Sequence, residues 1–206
     1  MHDASAQLQP DHPVLLVLSG PSGVGKDEVL AKLRHSKRPW HFVVTATTRP
    51  MRPNECAGID YIFMSPEDFQ GKLAKGGFLE HANVYGKWYG VPKDQVQQAL
   101  DRGQDVLLKV DVQGATYIKK LAPHAAFVFL APPTLDELER RLRNRHTETE
   151  EQVQRRLQAA REEMRALPMF DYVVVNETDR VAEAVAKVEA IVAAERCRLD
   201  RPRVDL

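Results

Sequence analysis

The sequence predicts an α/β fold whose core is a parallel β-sheet flanked by helices. Apolar runs typical of buried parallel strands recur at residues 14–18, 106–110, 127–130 and 173–175. Helical patterns separate these runs, and such an alternation is the signature of a parallel sheet covered on both faces. A glycine-rich segment directly after the first run adds a phosphate-binding loop to this core.

That segment reads Gly-Pro-Ser-Gly-Val-Gly-Lys-Asp and matches the Walker A pattern of P-loop NTPases up to its last position. Its glycines allow backbone N–H groups to converge on an anion where the helix predicted over residues 27–35 begins. Lys26 is expected to reach the β- and γ-phosphates of a nucleoside triphosphate. Asp27 stands where the pattern requires serine or threonine. The predicted triphosphate ligands are Gly20, Pro21, Ser22, Gly23, Val24, Gly25, Lys26 and Asp27.

Size and composition favour one enzyme-sized domain with insertions. The chain has 206 residues, of which 43% are hydrophobic, and its 29 basic residues balance 29 acidic ones. Because the net charge is zero, the chain has no long-range electrostatic field that would attract nucleic acid or a membrane surface. Cys56 and Cys197 have no metal or redox spacing, and neither a signal peptide nor a run of membrane length is visible. We expect a cytoplasmic protein, either monomer or homodimer, without nucleic-acid or membrane partners.

Two segments interrupt the alternation of strands and helices. Residues 45–91 are rich in glycine, proline, aromatic and charged residues, with short strand-like pieces at 61–64 and 78–85 around a helix begun by Ser65 and Pro66. We expect a small inserted β-rich unit here. Residues 134–166 predict two helices, each opened by a capping-box pattern, Thr134/Glu137 and Thr147/Glu150. Arg141 and Arg145 share one face of the first helix, which favours a lid over the phosphate loop.

These patterns set the expected domain limits. A disordered extension covers residues 1–12, one domain covers 13–198, and a tail covers 199–206. Within the domain, the core comprises 13–44, 92–133 and 167–198, the insertion 45–91 and the lid 134–166. Pro92 and Gly103 bracket one core helix, and valines spaced by three or four residues predict a final helix from Val181.

The insertion opens with two arginines, Arg49 and Arg52, in a proline-containing segment unsuited to a regular helix. Arginine binds phosphate oxygens in a bidentate fashion and stays charged, so the pair is a candidate second phosphate site. The alternative is a solvated loop with ordinary surface arginines. Tyr61 and Tyr89 could contribute hydroxyl donors or serve only in packing.

Seven motifs, in order, resemble the guanylate kinase family: GPSGVGK, TTRPMRPNE, GIDYIF, FLEHANVYGKWYG, VDVQGA, APPTLDELERRLRNRHTETEE and FDYVVVN. The resemblance covers about residues 14–191. It implies an enzyme of purine metabolism that uses ATP and Mg²⁺ to phosphorylate GMP, and dGMP as well, by direct in-line transfer. It also implies a GMP-binding insertion and a helical lid on the P-loop core.

Carried over by position, the resemblance implies roles for individual residues. The GMP phosphate would be held by Arg49, Arg52 and Tyr89, joined by Tyr61 and Thr45, while Glu80 and Asp111 would read the base. On the ATP side, Arg141, Arg145 and Arg156 would close on the transferring phosphoryl with Lys26 and Arg49, and Asn176 would lie near the adenine. The base assignment agrees with chemistry, because guanine presents adjacent N–H donors that suit carboxylate acceptors. The lid arginines could instead be a charged helix face.

Two departures from the family pattern are interpreted as one coupled exchange of residues. Asp27 replaces the usual magnesium-binding hydroxyl residue, and Lys109 stands where common guanylate kinases have aspartate. Residues 109 and 111 share a strand face, so Lys109 can approach the phosphate loop. We hypothesise that Asp27 takes over magnesium or water coordination while Lys109 balances its charge, as in a subgroup that includes plant organellar forms. Alternatively, Asp27 only caps the helix.

Two other functions stay open on the sequence alone. A ribose 1,5-bisphosphate phosphokinase resembles guanylate kinase and also carries aspartate in its loop, but it has no need for a guanine-reading pair such as Glu80 and Asp111. A non-catalytic guanylate-kinase-like module would use the acceptor arginines to hold a phosphopeptide. Such modules typically lose the phosphate loop, which is intact here up to Lys26.

Overall fold

A computed structural model describes residues 12–84, 86–144, 149–199 and 202–206. The strands are β1 (Leu15–Ser19), β2 (His41–Phe42), β3 (Ala46–Thr47), β4 (Ile62–Phe63), β5 (Phe78–Val84), β6 (Lys87–Pro92), β7 (Val106–Lys109), β8 (Ala126–Ala131) and β9 (Tyr172–Val175). Five of them form the main sheet in the order β2-β7-β1-β8-β9, with every pair parallel. The predicted fold class is therefore confirmed.

The helices are α1 (Lys26–Leu33), α2 (Pro66–Ala74), α3 (Lys93–Asp101), α4 (Val112–Leu121), α5 (Leu135–Arg143), α6 (Glu150–Arg165) and α7 (Val181–Arg196). Successive residues of β1 point to opposite faces of the sheet. Leu16 and Leu18 pack in one apolar cluster with α1 and α7, whereas Leu15 and Val17 pack in a second cluster with α3 and α4. Helices thus cover both faces, as a parallel sheet requires.

A second, smaller sheet has the order β4-β3-β6-β5 and lies within residues 45–92. Its core is aromatic: Phe69 of α2 stacks on Phe78 with ring centroids 4.3 Å apart and on Trp88 at 5.9 Å. Ser65 caps α2 by accepting a hydrogen bond from the backbone N–H of Asp68, with Pro66 at the first helical position. The small unit therefore has a core of its own.

The helix starts of the lid differ in part from the sequence prediction. The predicted pair Thr147/Glu150 is wrong: α6 is opened by a capping box of Thr149 with Gln152, and Thr147 itself lies outside the described residues. Thr149 and Gln152 offer an equivalent threonine and acceptor side chain two residues further along the chain. The sequence pattern therefore fits both positions and placed the start of the helix two residues too early. At α5, Thr134 does accept from the Glu137 N–H, at 3.1 Å.

The end of the chain packs on the core, where the sequence suggested only a tail. Val204 is 4% exposed and joins the apolar cluster of α3 and α4. The backbone N–H of Leu206 donates to Gln97 Oε1 at 3.1 Å, and Arg203 pairs with Asp101 at 2.6 Å. In the described part of the chain, no helix is both long and apolar enough to cross a membrane.

Asp105, just before β7, is a buried carboxylate that joins three parts of the chain. It is 1% exposed, accepts from the Val14 N–H at 2.9 Å, and pairs with Arg38 at 2.8 Å and Arg196 at 3.0 Å. Asp105→Ala should lower the free energy of unfolding by about 2 to 4 kcal/mol, because it removes the acceptor of a buried N–H and a carboxylate that pairs with two arginines.

Urea denaturation measures this loss. The matched control is Asp101→Ala, which breaks an exposed ion pair with Arg203 and should cost less than about 1 kcal/mol. Equal losses in the two variants would contradict the role of Asp105.

Candidate active site

The segment between β1 and α1 forms a loop that only glycine can build at three positions. Gly20, Gly23 and Gly25 all have positive φ, of 142°, 85° and 98°. A Cβ at Gly20 would lie 2.1 Å from the carbonyl oxygen of Leu130, and one at Gly25 would lie 2.5 Å from Asn176 Nδ2. The backbone is therefore held against β8 and against Asn176, which directly follows β9, at the carboxyl edge of the sheet, where ligands bind in open α/β folds.

Lys26, the first residue of α1, folds back over this loop. Its Nζ donates to the carbonyl oxygens of Gly20 at 2.5 Å and Pro21 at 3.1 Å. Burial lowers the pKa of Lys26, and the nearby carboxylates of Glu163 and Asp27 oppose that fall. A partly desolvated ammonium at the N-terminus of a helix suits a polyphosphate anion.

A cavity of about 590 Å³ adjoins the loop and is bounded on its far side by residues 176–179. Asn176 is 3% exposed, and its Nδ2 donates to the Val24 carbonyl oxygen at 2.8 Å. Arg141 on α5 donates to the carbonyl oxygen of Asn176 at 2.9 Å and to Thr178 Oγ1 at 3.0 Å. Asn176 and Arg141 therefore both lie at the phosphate loop.

The two lid helices lie directly on the loop. A Cβ at Gly23 would be 2.7 Å from the side chain of Leu142, so α5 covers the loop at close range. Nη1 of Arg156 on α6 is 3.4 Å from Ser22 Oγ. Arg145, predicted to join these arginines, lies outside the described residues.

Asp27 and Lys109 meet across the loop, as the sequence hypothesis required. The Nζ of Lys109, at the end of β7, is 2.6 Å from Asp27 Oδ1, although the two residues are 82 positions apart. The Asp27 side chain is 84% exposed and lies in the first turn of α1, whose N-cap is Gly25. A carboxylate there is favourable to the helix N-terminus, and it lies at the surface beside the phosphate loop.

Arg49, which follows β3, lies beside Tyr61 and Tyr89, the two tyrosines predicted to join it in phosphate binding. Its guanidinium lies 5.3 Å from the ring centroid of Tyr61, and the rings of Tyr61 and Tyr89 are 6.0 Å apart. Arg49 also pairs with Glu55 at 2.6 Å, with both side chains mostly buried. Hydrogen bonding from Arg49 is the main reason that the pKa of Glu55 lies below its usual value. Thr45, half-buried, and Arg52, exposed, flank this group.

Glu80 on β5 and Asp111, which precedes α4, line one cavity of about 160 Å³. Gly114 keeps the space beside them open, since a Cβ there would lie 3.3 Å from Asp111 Oδ1 and 3.4 Å from the Glu80 carboxyl carbon. Burial, together with the charge of Asp111, raises the pKa of Glu80 to about 7. The structure thus brings together the two carboxylates that the sequence assigned to the base.

Sequence reasoning missed three acidic residues of the site. Glu55 holds Arg49, Glu137 on α5 pairs with Arg141 at 3.0 Å, and Glu163 on α6 lies near Lys26. Glu55 follows Arg52 closely in the chain, which was a usable signal. Glu137 and Glu163 look like ordinary members of charged helices, and only the fold shows what they face.

Comparison with known proteins agrees with this geometry. The guanylate kinase family model matches residues 12–195. A guanylate kinase of Clostridium tetani is 44% identical over 188 residues, which cover 91% of this chain and 89% of that protein. The chloroplastic/mitochondrial guanylate kinase 2 of Oryza sativa subsp. japonica is 41% identical over 198 residues, which cover 96% of this chain and 70% of that protein. The chain belongs to the guanylate kinase family.

A solved structure extends the likeness to three dimensions. The crystal structure of guanylate kinase from Anaplasma phagocytophilum superposes with a TM-score of 0.71 at 32% identity, and the match covers 92% of this chain and 89% of that one. The chain is therefore an enzyme of the guanylate kinase family, an ATP-dependent kinase of GMP that acts on nucleotide substrates. Neither a bisphosphate kinase nor a non-catalytic module is favoured.

Proposed function

We propose that this guanylate kinase binds its two nucleotides in the two clusters described above. The loop of residues 20–27, with Asn176, Arg141 and Arg156, holds ATP. Arg49, Arg52, Thr45, Tyr61 and Tyr89 hold the GMP phosphate, and Glu80 and Asp111 hold the guanine. The observation that carries this assignment is the shared cavity of Glu80 and Asp111, because two carboxylate acceptors match the adjacent N–H donors of guanine.

Binding at the acceptor site exchanges one anion for another. Glu55 pairs with Arg49 at 2.6 Å. The GMP phosphate competes for the same guanidinium and can bind it through two oxygens. Tyr61, packed against both Arg49 and Tyr89, keeps the three side chains in one group.

The reaction is a direct phosphoryl transfer. An oxygen of the GMP phosphate attacks the γ-phosphorus of ATP, the bond from that phosphorus to the bridging oxygen of the β-phosphate breaks, and ADP leaves. Lys26, Arg49 and the lid arginines Arg141, Arg145 and Arg156 stabilise the charge on the transferring group. The lid excludes water, which would otherwise hydrolyse ATP.

Asp27 fits the role of a magnesium ligand. Mg²⁺ in phosphoryl-transfer enzymes is commonly bound by one or two carboxylates together with substrate phosphates and water. Asp27 offers an exposed carboxylate directly beside the phosphate loop, and Lys109 at 2.6 Å offsets its charge. The ion would neutralise developing charge on the β- and γ-phosphates.

A double-mutant cycle tests whether Asp27 and Lys109 act as a unit. Asp27→Ser and Lys109→Asp should each raise the Mg²⁺ concentration needed for half-maximal activity, because each breaks the ion pair between Asp27 and Lys109. The double variant restores a hydroxyl at the loop and a carboxylate on β7. It should therefore need less Mg²⁺ than the sum of the single effects predicts, by about fivefold or more. If the effects of the two substitutions on the Mg²⁺ requirement are additive in the double variant, Asp27 and Lys109 do not act as a unit.

GMP-dependent release of ADP by the purified chain tests the assigned reaction. If ADP is not released at saturating ATP, Mg²⁺ and GMP, the chain would instead be a non-catalytic module that binds a phosphopeptide.

A cytoplasmic setting is supported by two exposed cysteines, neither in a disulfide. Small nucleotides are the proposed partners, without nucleic acid or membrane, and the enzyme is proposed to act as a monomer or homodimer.

A further inference from the structure

Glu163 on α6 is a shielded carboxylate at the phosphate loop that the proposed reaction does not use. Its Oε2 atom is buried and has no hydrogen-bond partner among the described residues. Burial is the main reason that the pKa of Glu163 is raised, while the ammonium of Lys26 and a backbone hydrogen bond from Ser22 act in the opposite direction. A buried carboxylate oxygen without a partner costs stability, so its retention at this place calls for a reason.

The packing of the lid fixes the position of this carboxylate. Arg156 and Glu163 are two helical turns apart on α6 and share one side of it, and both face Ser22. On another side, α6 packs against α5 through an apolar cluster of Leu138, Leu142, Val153, Leu157 and Ala160. Because Leu142 in turn lies on Gly23, the helical hairpin and the loop form one packed unit.

The charges at the loop are opposed. Lys26, at the N-terminus of α1, attracts the phosphates of a nucleotide, and Glu163 is the carboxylate whose charge acts most on the Lys26 ammonium. A nucleotide that brings several negative charges to this loop must approach Glu163 in a shielded environment, where like charges repel more strongly than in water. The carboxylate therefore partly cancels the attraction of Lys26.

We propose that Glu163 is an internal counter-anion of the phosphate loop, whose charge weakens the binding of the donor nucleotide and so speeds the release of ADP. This inference rests on the proposed placement of the ATP and ADP phosphates at residues 20–27. Glu163 acts through Lys26 and the loop, and it is a positioning residue.

Glu163→Gln tests the charge while keeping the shape of the side chain and an oxygen that can still accept from Ser22. The variant should bind a fluorescently labelled ADP about three- to tenfold more tightly, with a correspondingly slower dissociation rate. The matched control is Glu162→Gln, an exposed neighbour on α6 that pairs with Arg165 and should leave the Kd unchanged.

The direction of the change separates this role from a purely structural one. If Glu163 only braced the lid, Glu163→Gln would bind ADP equally or more weakly, and that result would overturn the proposal. Should the glutamine variant fail to fold, Glu163→Ala also removes the charge and is expected to shift the Kd in the same direction. Absence of ADP binding in both the unmodified enzyme and Glu162→Gln would instead contradict the placement of the nucleotide at the loop.

Discussion

Replacing Lys26 with methionine is expected to lower kcat by about a thousandfold or more. The ammonium lies over the phosphate loop, where it donates to the carbonyl oxygens of Gly20 and Pro21. In the proposed ATP complex, Lys26 reaches the β- and γ-phosphates, and its charge is needed most when the γ-phosphoryl is between the two nucleotides. Methionine keeps most of the length of the side chain and removes the charge.

The control for Lys26→Met is Lys32→Met, the same substitution on an exposed face of α1. That variant should retain the kcat of the unmodified enzyme. GMP binding by Lys26→Met, measured by calorimetry, should stay close to normal because the proposed acceptor residues lie in the small inserted unit and at the start of α4, outside the phosphate loop. A kcat within tenfold of the original would contradict the assignment of Lys26.

Glu80→Gln is expected to lower kcat/KM for GMP by about a hundredfold or more, because the amide offers a donor where guanine needs an acceptor. The matched control is Glu67→Gln, an exposed glutamate on α2 of the same small unit. It should leave kcat/KM unchanged. A comparable loss in both variants would show that the effect is not specific to the guanine site.

The pH dependence of GMP binding gives a second, independent measure of Glu80. Burial and Asp111 raise the pKa of Glu80 to about 7. Guanine donors bind the ionised form, so GMP binding requires loss of the proton and should weaken as pH falls below about 7. Glu80→Gln should lack this component, and the difference between the two pH profiles removes the titration of GMP itself. Identical profiles would contradict the role.

The raised pKa of Glu80 also has a consequence for stability. The unfolded carboxyl titrates near its ordinary value of 4.5, below the folded value of about 7, so the unfolded chain releases this proton first. The contribution of Glu80 to folding is therefore most favourable at low pH and is lost as pH rises through that window. The base-reading carboxylate is retained at the expense of stability near neutral pH.

Local signals in the sequence were sufficient for the core and for most of the proposed site. Apolar runs located β1, β7, β8 and β9 to within about a residue, since buried parallel strands need continuous hydrophobicity. The glycine pattern located the phosphate loop because its backbone angles exclude other residues. The proposed nucleotide-binding residues could be assigned because they lie in motifs that resemble one family.

Long-range contacts could not be predicted in the same way. The two-residue strand β2 is too short to show any periodicity, and its place beside β7 depends on the tertiary fold. Val204 packs into the core from a polar segment where a single valine carries no pattern. The pairing of Glu55 with Arg49 and the burial of Glu163 likewise depend on neighbours brought together by folding. The meeting of Lys109 with Asp27, by contrast, was anticipated, because two departures from one family pattern coincided.

The most direct test of the account is ADP release by the purified enzyme, measured with ATP and Mg²⁺ and with GMP, dGMP, AMP, UMP or ribose 1,5-bisphosphate as the acceptor. The paired carboxylates Glu80 and Asp111 predict rapid release with GMP and dGMP, and release near background with AMP, UMP and ribose 1,5-bisphosphate. Equal rates with AMP and GMP, or a rate with ribose 1,5-bisphosphate that exceeds the rate with GMP, would contradict it.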